Sequence, residues 1–240
     1  MDAAVLAALG LGFLLGMTHA LDADHVAAVG TLVSETRGLR RSSLLGASWG
    51  VGHSASLLGA GLLVLGLRLT TPPRLSAAAE FAVGLMLVGL GARAIWTVLR
   101  EKRLHWHVQE RDGVQHLHVH AHRVRGDAPH AHDHSFPLAR RSFLVGCLHG
   151  LAGSGPLTLL VLSTLSSPLA GLAYLGLFSL GSVAGMTLLS GLLSLPVAYA
   201  LRRSARLARQ IRMAAGGISL VLGLVLAGEI VTGGEFLGKE

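Results

Sequence analysis

The chain reads as an all-α polytopic membrane protein with six transmembrane helices, arranged as two inverted three-helix repeats. Three observations predict this. Of the 240 residues, 51% are hydrophobic and only 14% charged, with a mean hydropathy of +0.59, whereas a soluble domain carries about 25% charged residues. Six apolar segments are long enough to enter a bilayer. The first of them is echoed about 130 residues later in the chain.

Helix 1 is expected from about Ala4 through a polar stretch ending at His25, continuing with a kink to about Val33. Helix 2 covers about Leu44–Leu67 and helix 3 about Ala77–Leu99. Helix 4 covers about Phe143–Leu165, helix 5 about Ala170–Leu195 and helix 6 about Met213–Thr232. The organisation is therefore a first repeat over 1–99, a middle loop over 100–142 and a second repeat over 143–240. Pro72, Pro73, Pro168 and Pro196 fall at or beside the proposed ends, where a missing N–H does least harm. Four Gly-x-x-x-Gly pairs, Gly12/Gly16, Gly46/Gly50, Gly146/Gly150 and Gly181/Gly185, predict close helix crossings. The N-terminus lacks a basic n-region, so the first apolar run is expected to be retained as a helix.

Charge sets the orientation. Loops 1–2, 3–4 and 5–6 hold sixteen Lys and Arg residues, while the other side has three, Arg68, Arg74 and Lys239. The positive-inside bias puts both termini outside and the middle loop in the cytoplasm. Arg93, near the end of helix 3, can then snorkel to the cytoplasmic surface. Glu80 and Glu229 fall toward the outer face and are not candidate ligands. The net charge of +7 is thus a property of loops, and without an aromatic-basic platform it gives no reason to expect nucleic acid.

The repeat is visible as Phe13-Leu14-Leu15-Gly16-Met17-Thr18-His19-Ala20-Leu21 against Phe143-Leu144-Val145-Gly146-Cys147-Leu148-His149-Gly150-Leu151, five identities in nine. An odd number of spans per repeat requires the two halves to be inverted, as in transporters with midplane polar sites.

Polar chemistry is concentrated in Thr18-His19-Ala20-Leu21-Asp22-Ala23-Asp24-His25. Ionisable groups at membrane depth cost about 2.5–3.5 kcal/mol each on insertion scales, and a divalent cation is the simplest compensation. On a regular helix His19, Asp22 and His25 share one side, and Asp24 joins them only if the helix unwinds. Imidazole suits nickel, cobalt, zinc and copper, and a carboxylate supplies charge and an oxygen donor. The alternative is a polar helix end lying among the headgroups. His53, about ten residues into helix 2, and His149, the repeat-mate of His19, are candidates for further ligands or proton relays. After His149 the segment Gly150-Leu151-Ala152-Gly153-Ser154-Gly155-Pro156 predicts a helix break that frees backbone carbonyls beside a cavity.

The middle loop carries nine of the 13 histidines: His105, His107, His116, His118, His120, His122, His130, His132 and His134. The run His116–His122 alternates with period two, so an extended chain would present its four rings on one side. This predicts an accessory cytoplasmic metal buffer or sensor, distinct from the transport site. The alternative is a basic linker with incidental histidines. No phosphate-binding loop, metalloprotease or nucleophile-elbow motif is present, so the chain is not expected to be an enzyme.

The motif His19-Ala20-Leu21-Asp22-Ala23-Asp24-His25 resembles the H-x-x-x-x-D-H signature of the NiCoT nickel/cobalt transporter family, and Gly52-His53-Ser54 resembles that family's Gly-His-Ser element. The His149–Gly155 segment is closer to the urease-accessory UreH-like six-helix branch. The second acidic, Thr-rich motif of typical permeases and their first span of eight have no counterpart here. The resemblance implies that His19, Asp24 and His25 handle the metal, with Asp22 a fourth ligand or charge partner. It also implies nickel or cobalt as the ion, which affinity order alone cannot select. No cofactor is implied beyond the ion itself.

The expected function is therefore secondary transport of Ni²⁺ or Co²⁺ through an integral, lipid-embedded protein, by uptake. Its competitors are nickel/cobalt efflux and a non-transporting component that hands nickel to urease or hydrogenase maturation proteins. A membrane thiol carrier is disfavoured, because Cys147 is the single cysteine.

Overall fold

A computed structural model of the chain describes residues 3–36, 38–67, 73–100, 106–111, 114–119, 135–152 and 168–233. It is an all-α membrane protein. The helices are α1 (Ala3–His19), α2 (Ala23–Ser34), α3 (Leu39–Leu67), α4 (Pro73–Arg100), α5 (Ser135–Gly150), α6 (Pro168–Arg203) and α7 (Ala205–Thr232). Between α4 and α5 a two-stranded antiparallel ribbon, β1 (Trp106–Arg111) and β2 (Val114–Val119), interrupts the middle segment. Among the described residues, three helical stretches, Arg74–Arg100, Leu169–Arg203 and Ala205–Thr232, are long and apolar enough to cross a membrane. Large apolar side chains such as Leu14, Leu188, Leu192, Ile218, Val221 and Leu224 face outward. That surface suits lipid and would be a liability in water.

The expected helix 1 is divided in two, since α1 stops at His19 and α2 starts at Ala23. Asp22 has φ −58° and ψ 145°, outside the helical region, and α2 begins where Val26 N–H donates to Asp22 O at 2.9 Å. Pro73 and Pro168 each open a helix, where φ is already suitable and no N–H is needed. Pro196 does not mark an end: α6 continues through it to Arg203. A proline inside a helix removes one backbone bond, and in a membrane protein neighbouring hydroxyls and helices offset the loss. Ser194 Oγ donates to the Gly191 carbonyl in this turn, at 2.6 Å. Helix α5 begins at Ser135, before the expected Phe143, and ends at Gly150, where the glycine-rich stretch predicts a break. The rest of that stretch, 153–167, lies outside the described residues.

The glycine pairs form the helix crossings. Helix α1 packs on α6, α3 packs on both α5 and α6, and α4 packs on α7. A methyl group at Gly52 would strike the Phe143 carbonyl, and one at Gly181 would strike the Phe13 carbonyl. Gly146 and Gly150 press on the α3 backbone at Trp49 and His53, and Gly46 presses on Met186 and Ser190 of α6. In the α4–α7 crossing, Gly84 meets Gly223 while Gly91 meets Gly216. The buried core beside these crossings is built from Ala20, Ala28, Val29, Val33, Trp49, Leu87 and Met186.

Replacing Gly52 by leucine should force α3 away from α5. Overpacking costs about 1–3 kcal/mol in an adaptable core, and here the obstacle is backbone, so the loss should lie at the upper end. Thermal unfolding in detergent should show a clear fall in Tm, while Gly59→Leu, where no atom lies within 4 Å of an added Cβ, should leave it near the parent.

Candidate metal centre

The break between α1 and α2 gathers the polar residues. Leu21 N–H donates to Thr18 O at 2.8 Å and Asp22 N–H to His19 O at 3.1 Å, so the chain tightens as it leaves α1. Asp22 occupies the N-cap of α2, yet its side chain makes no cap bond. Instead its Oδ2 lies 2.7 Å from His19 Nδ1. A residue placed where it would ordinarily stabilise the helix start orients an imidazole.

Asp24 sits in the first turn of α2, where a carboxylate complements the helix dipole. Its Oδ1 accepts from the His25 backbone N–H at 2.8 Å and from His25 Nδ1 at 2.9 Å. Its Oδ2 accepts from His149 Nε2, on α5, at 2.8 Å. The unwinding between His19 and Ala23 is thus what brings Asp24 into the group. His53, at the midpoint of α3, completes it: its ring centroid lies 5.3 Å from both His19 and His25 and 6.1 Å from His149. His25 and His149 are the closest pair, with centroids 4.0 Å apart.

An ionised carboxylate only accepts, so the nitrogens facing Asp22 and Asp24 carry the protons. Of the other nitrogens, His19 Nε2, His25 Nε2 and His149 Nδ1 are left with lone pairs, while of the two His53 nitrogens one carries a proton and the other a lone pair. Among the described residues all five of these atoms are buried without a hydrogen-bond partner. Each unmatched buried polar atom costs about 1–3 kcal/mol, and the four lone pairs form a donor set that suits a cation. The ligand atoms of His19, His25 and His53 all lie within 4.8 Å of one another, as do those of Asp24, His25 and His149. Opposite nitrogens on one ion with bonds of about 2.1 Å are about 4.2 Å apart, so either group is close to chelating spacing. Asp22 belongs to neither group.

Every membrane residue singled out from sequence, His19, Asp22, Asp24, His25, His53 and His149, is therefore in one cluster. Of the loop histidines, His107, His116 and His118 lie on the ribbon, while His105, His120, His122, His130, His132 and His134 lie outside the described residues. Sequence reasoning missed Trp49 and Phe178. Trp49 is 1% exposed and stacks on His25 with centroids 6.0 Å apart and planes 12° from parallel. Phe178 lies 5.5 Å from His19. The signal for Trp49 was its position one helical turn before His53, on the same face of α3. For Phe178 no local signal existed.

The fold and the cluster define an integral membrane protein that gathers imidazoles and carboxylates, groups that could hold a metal ion. The comparisons agree: the family model for NicO, high-affinity nickel-transport protein, matches residues 5–233, and the chain belongs to that family. It is 36% identical over 220 residues to the urease accessory protein UreH of Bacillus sp. (strain TB-90), covering 92% of this chain and 90% of that protein. No solved structure matches the chain.

Because Asp24 orients two imidazoles, Asp24→Asn should weaken nickel binding by about 10–100-fold, the usual cost of losing a partner behind a metal ligand. Calorimetric titration of the purified protein in detergent measures this. Nickel bound at His25 should also quench the fluorescence of Trp49, and the quench should vanish in Trp49→Phe.

Proposed function

We propose that the protein is a secondary transporter that takes up nickel or cobalt ions across the cytoplasmic membrane. The ion is held by His19, His25 and His53, while Asp22 and Asp24 act one bond further out and His149 closes the site through Asp24. The observation that carries this reading is the convergence of unpartnered imidazole nitrogens on one buried spot, with carboxylates behind His19 and His25. That arrangement raises the basicity of His19 and His25 and fixes their tautomers. The membership of the chain in a nickel-transport family supports nickel as the ion.

The architecture in this reading is six spans in two inverted halves, with α1–α2, α3 and α4 in the first and α5, α6 and α7 in the second. The reciprocal crossings support it, since Gly52 on Phe143 is matched by Gly181 on Phe13, and Gly84 on Gly223 by Gly91 on Gly216. The Lys and Arg distribution puts both termini outside and the histidine-rich segment in the cytoplasm. There the segment buffers metal and is dispensable for flux. No catalytic chemistry is assigned to the protein.

A second reading is a membrane component of urease maturation that passes nickel to a partner without moving it across the bilayer. It rests on the likeness to a urease accessory protein.

Flux of radiolabelled nickel and cobalt into proteoliposomes tests the proposal. Saturable flux is expected in the parent and should fall to background in His19→Ala and His53→Ala. Acidification should lower nickel affinity, since imidazole must be unprotonated to bind. Nickel binding without flux in the parent would favour the maturation reading, and lowered nickel content in expressing cells would favour efflux. Deletion of Gln115–His134 should leave maximal flux intact and shift only its dependence on nickel concentration; complete loss would move the transport site into that segment.

A further inference from the structure

Two of the helix crossings are the same contact made twice. Where α3 meets α5, a methyl group on Gly52 would press on Phe143 and Cys147, and one on Gly146 would press on Trp49 and His53. Where α6 meets α1, Gly181 stands in the same way against Phe13 and Met17, and Gly16 against Phe178 and Ser182. Helix α5 thus corresponds to α1, and α3 to α6. In this correspondence His149 matches His19, Trp49 matches Phe178, and His53 matches Ser182. Five of these six residues are already at the cluster. The Trp49 ring lies 5.7 Å from His149 and the Phe178 ring 5.5 Å from His19, while His53 lies 6.1 Å from His149. Ser182 is the sixth. It follows Phe178 by one turn on the same face of α6, as His53 follows Trp49 on α3. It is wholly buried, and among the described residues its hydroxyl has no hydrogen-bond partner. Hydroxyls inside helices commonly bond back to their own helix, as those of Thr187 and Ser194 on α6 do. Ser182 does not, although it is placed beside nitrogens that are themselves unmatched.

We propose that Ser182 is a further residue of the ion-binding site, whose hydroxyl accepts a hydrogen bond from a water ligand of the ion, at the place that His53 fills on the opposite side. This rests on the reading of the cluster as the seat of the ion. A serine hydroxyl ends about one ring short of where an imidazole reaches, a gap that one water molecule spans. The hydroxyl adds no charge and meets the ion through that water. Matched positions are therefore chemically unequal: α3 offers a nitrogen donor, and α6 keeps a water that exchanges. One coordination position stays open to an incoming donor, as it does in metal sites that must accept a new ligand.

The test follows Co²⁺ binding to the full chain in nanodiscs, in a Cys147→Ser background that removes the single native thiol. Binding at the cluster is read from the part of the fluorescence quench that Trp49→Phe abolishes. Ser182→Cys puts a thiol where the hydroxyl stands. Facing the ion, it should lose its proton and ligate, giving a sulfur-to-cobalt charge-transfer band in the near ultraviolet that the background lacks. Ser182→Ala should weaken binding by about two- to ten-fold, the net worth of one hydrogen bond. Ser182→His, with a tethered imidazole in place of the water, should tighten it by at least about ten-fold. Thr187→Val, on the same helix, should leave it unchanged. Quenching of Trp49 in Ser182→Cys without the new band, or parent affinity in Ser182→Ala, would overturn the proposal and leave the cluster as the seat of the ion. No quench of Trp49 in the background would overturn both together.

Discussion

The Asp24 carboxylate is the interaction on which the rest of the site depends. One oxygen holds His25 and its backbone N–H, and the other holds His149 across from a different helix. Without it, α2 and α5 would each bring a buried imidazole to the interior with no fixed tautomer. A hydrogen bond made away from water adds little to stability on balance, but removing one partner leaves the other unmatched at a larger cost. Here it converts two histidines from groups that merely tolerate burial into oriented donors. Asp22 does the same for His19 from a more exposed position, and forgoes its capping bond to do so.

Such a cluster requires four helix segments to approach one point, and small residues make that geometry available. Gly146 and Gly150 lie one turn apart on α5 and press directly on the α3 backbone at Trp49 and His53, so the helix that carries His149 is docked by the residues flanking it. Gly16 and Gly185 close the crossing of α1 with α6 beside His19. Lipid offers no hydrophobic drive for helices to associate, and close van der Waals contact takes its place. The glycines that would weaken a water-soluble helix are here the surfaces by which the donors are brought into register. Trp49 then fills the space beside His25, which keeps the ring from turning away.

Much of this was legible in the sequence because the relevant signals are local. The motif His19–His25 held four of the side chains that cluster, and the requirement that the helix unwind for Asp24 to join them is met by the break at Ala20–Asp22. The Gly-x-x-x-Gly pairs foretold the crossings. What sequence could not supply was the pairing of carboxylates with rings, because spacing does not say which ring nitrogen a carboxylate faces. Pro196 was read as an end because local rules penalise proline inside a helix, and tertiary packing overrode them. The ribbon of β1 and β2 was likewise invisible while the segment was treated as a single extended run.

The place of His53 along α3 has a mechanical corollary. It is the middle residue of a 29-residue helix, and the glycines that clamp that helix, Gly46, Gly50 and Gly52, lie just before it. A beam held near its centre behaves as a lever with the held point as fulcrum. Rocking α3 by about 10° would displace its ends, about 21 Å away at 1.5 Å per residue, by nearly 4 Å in opposite directions, while His53 would scarcely move. One end of the seam would widen as the other narrowed, and the imidazole at the pivot would stay in reach of its neighbours throughout.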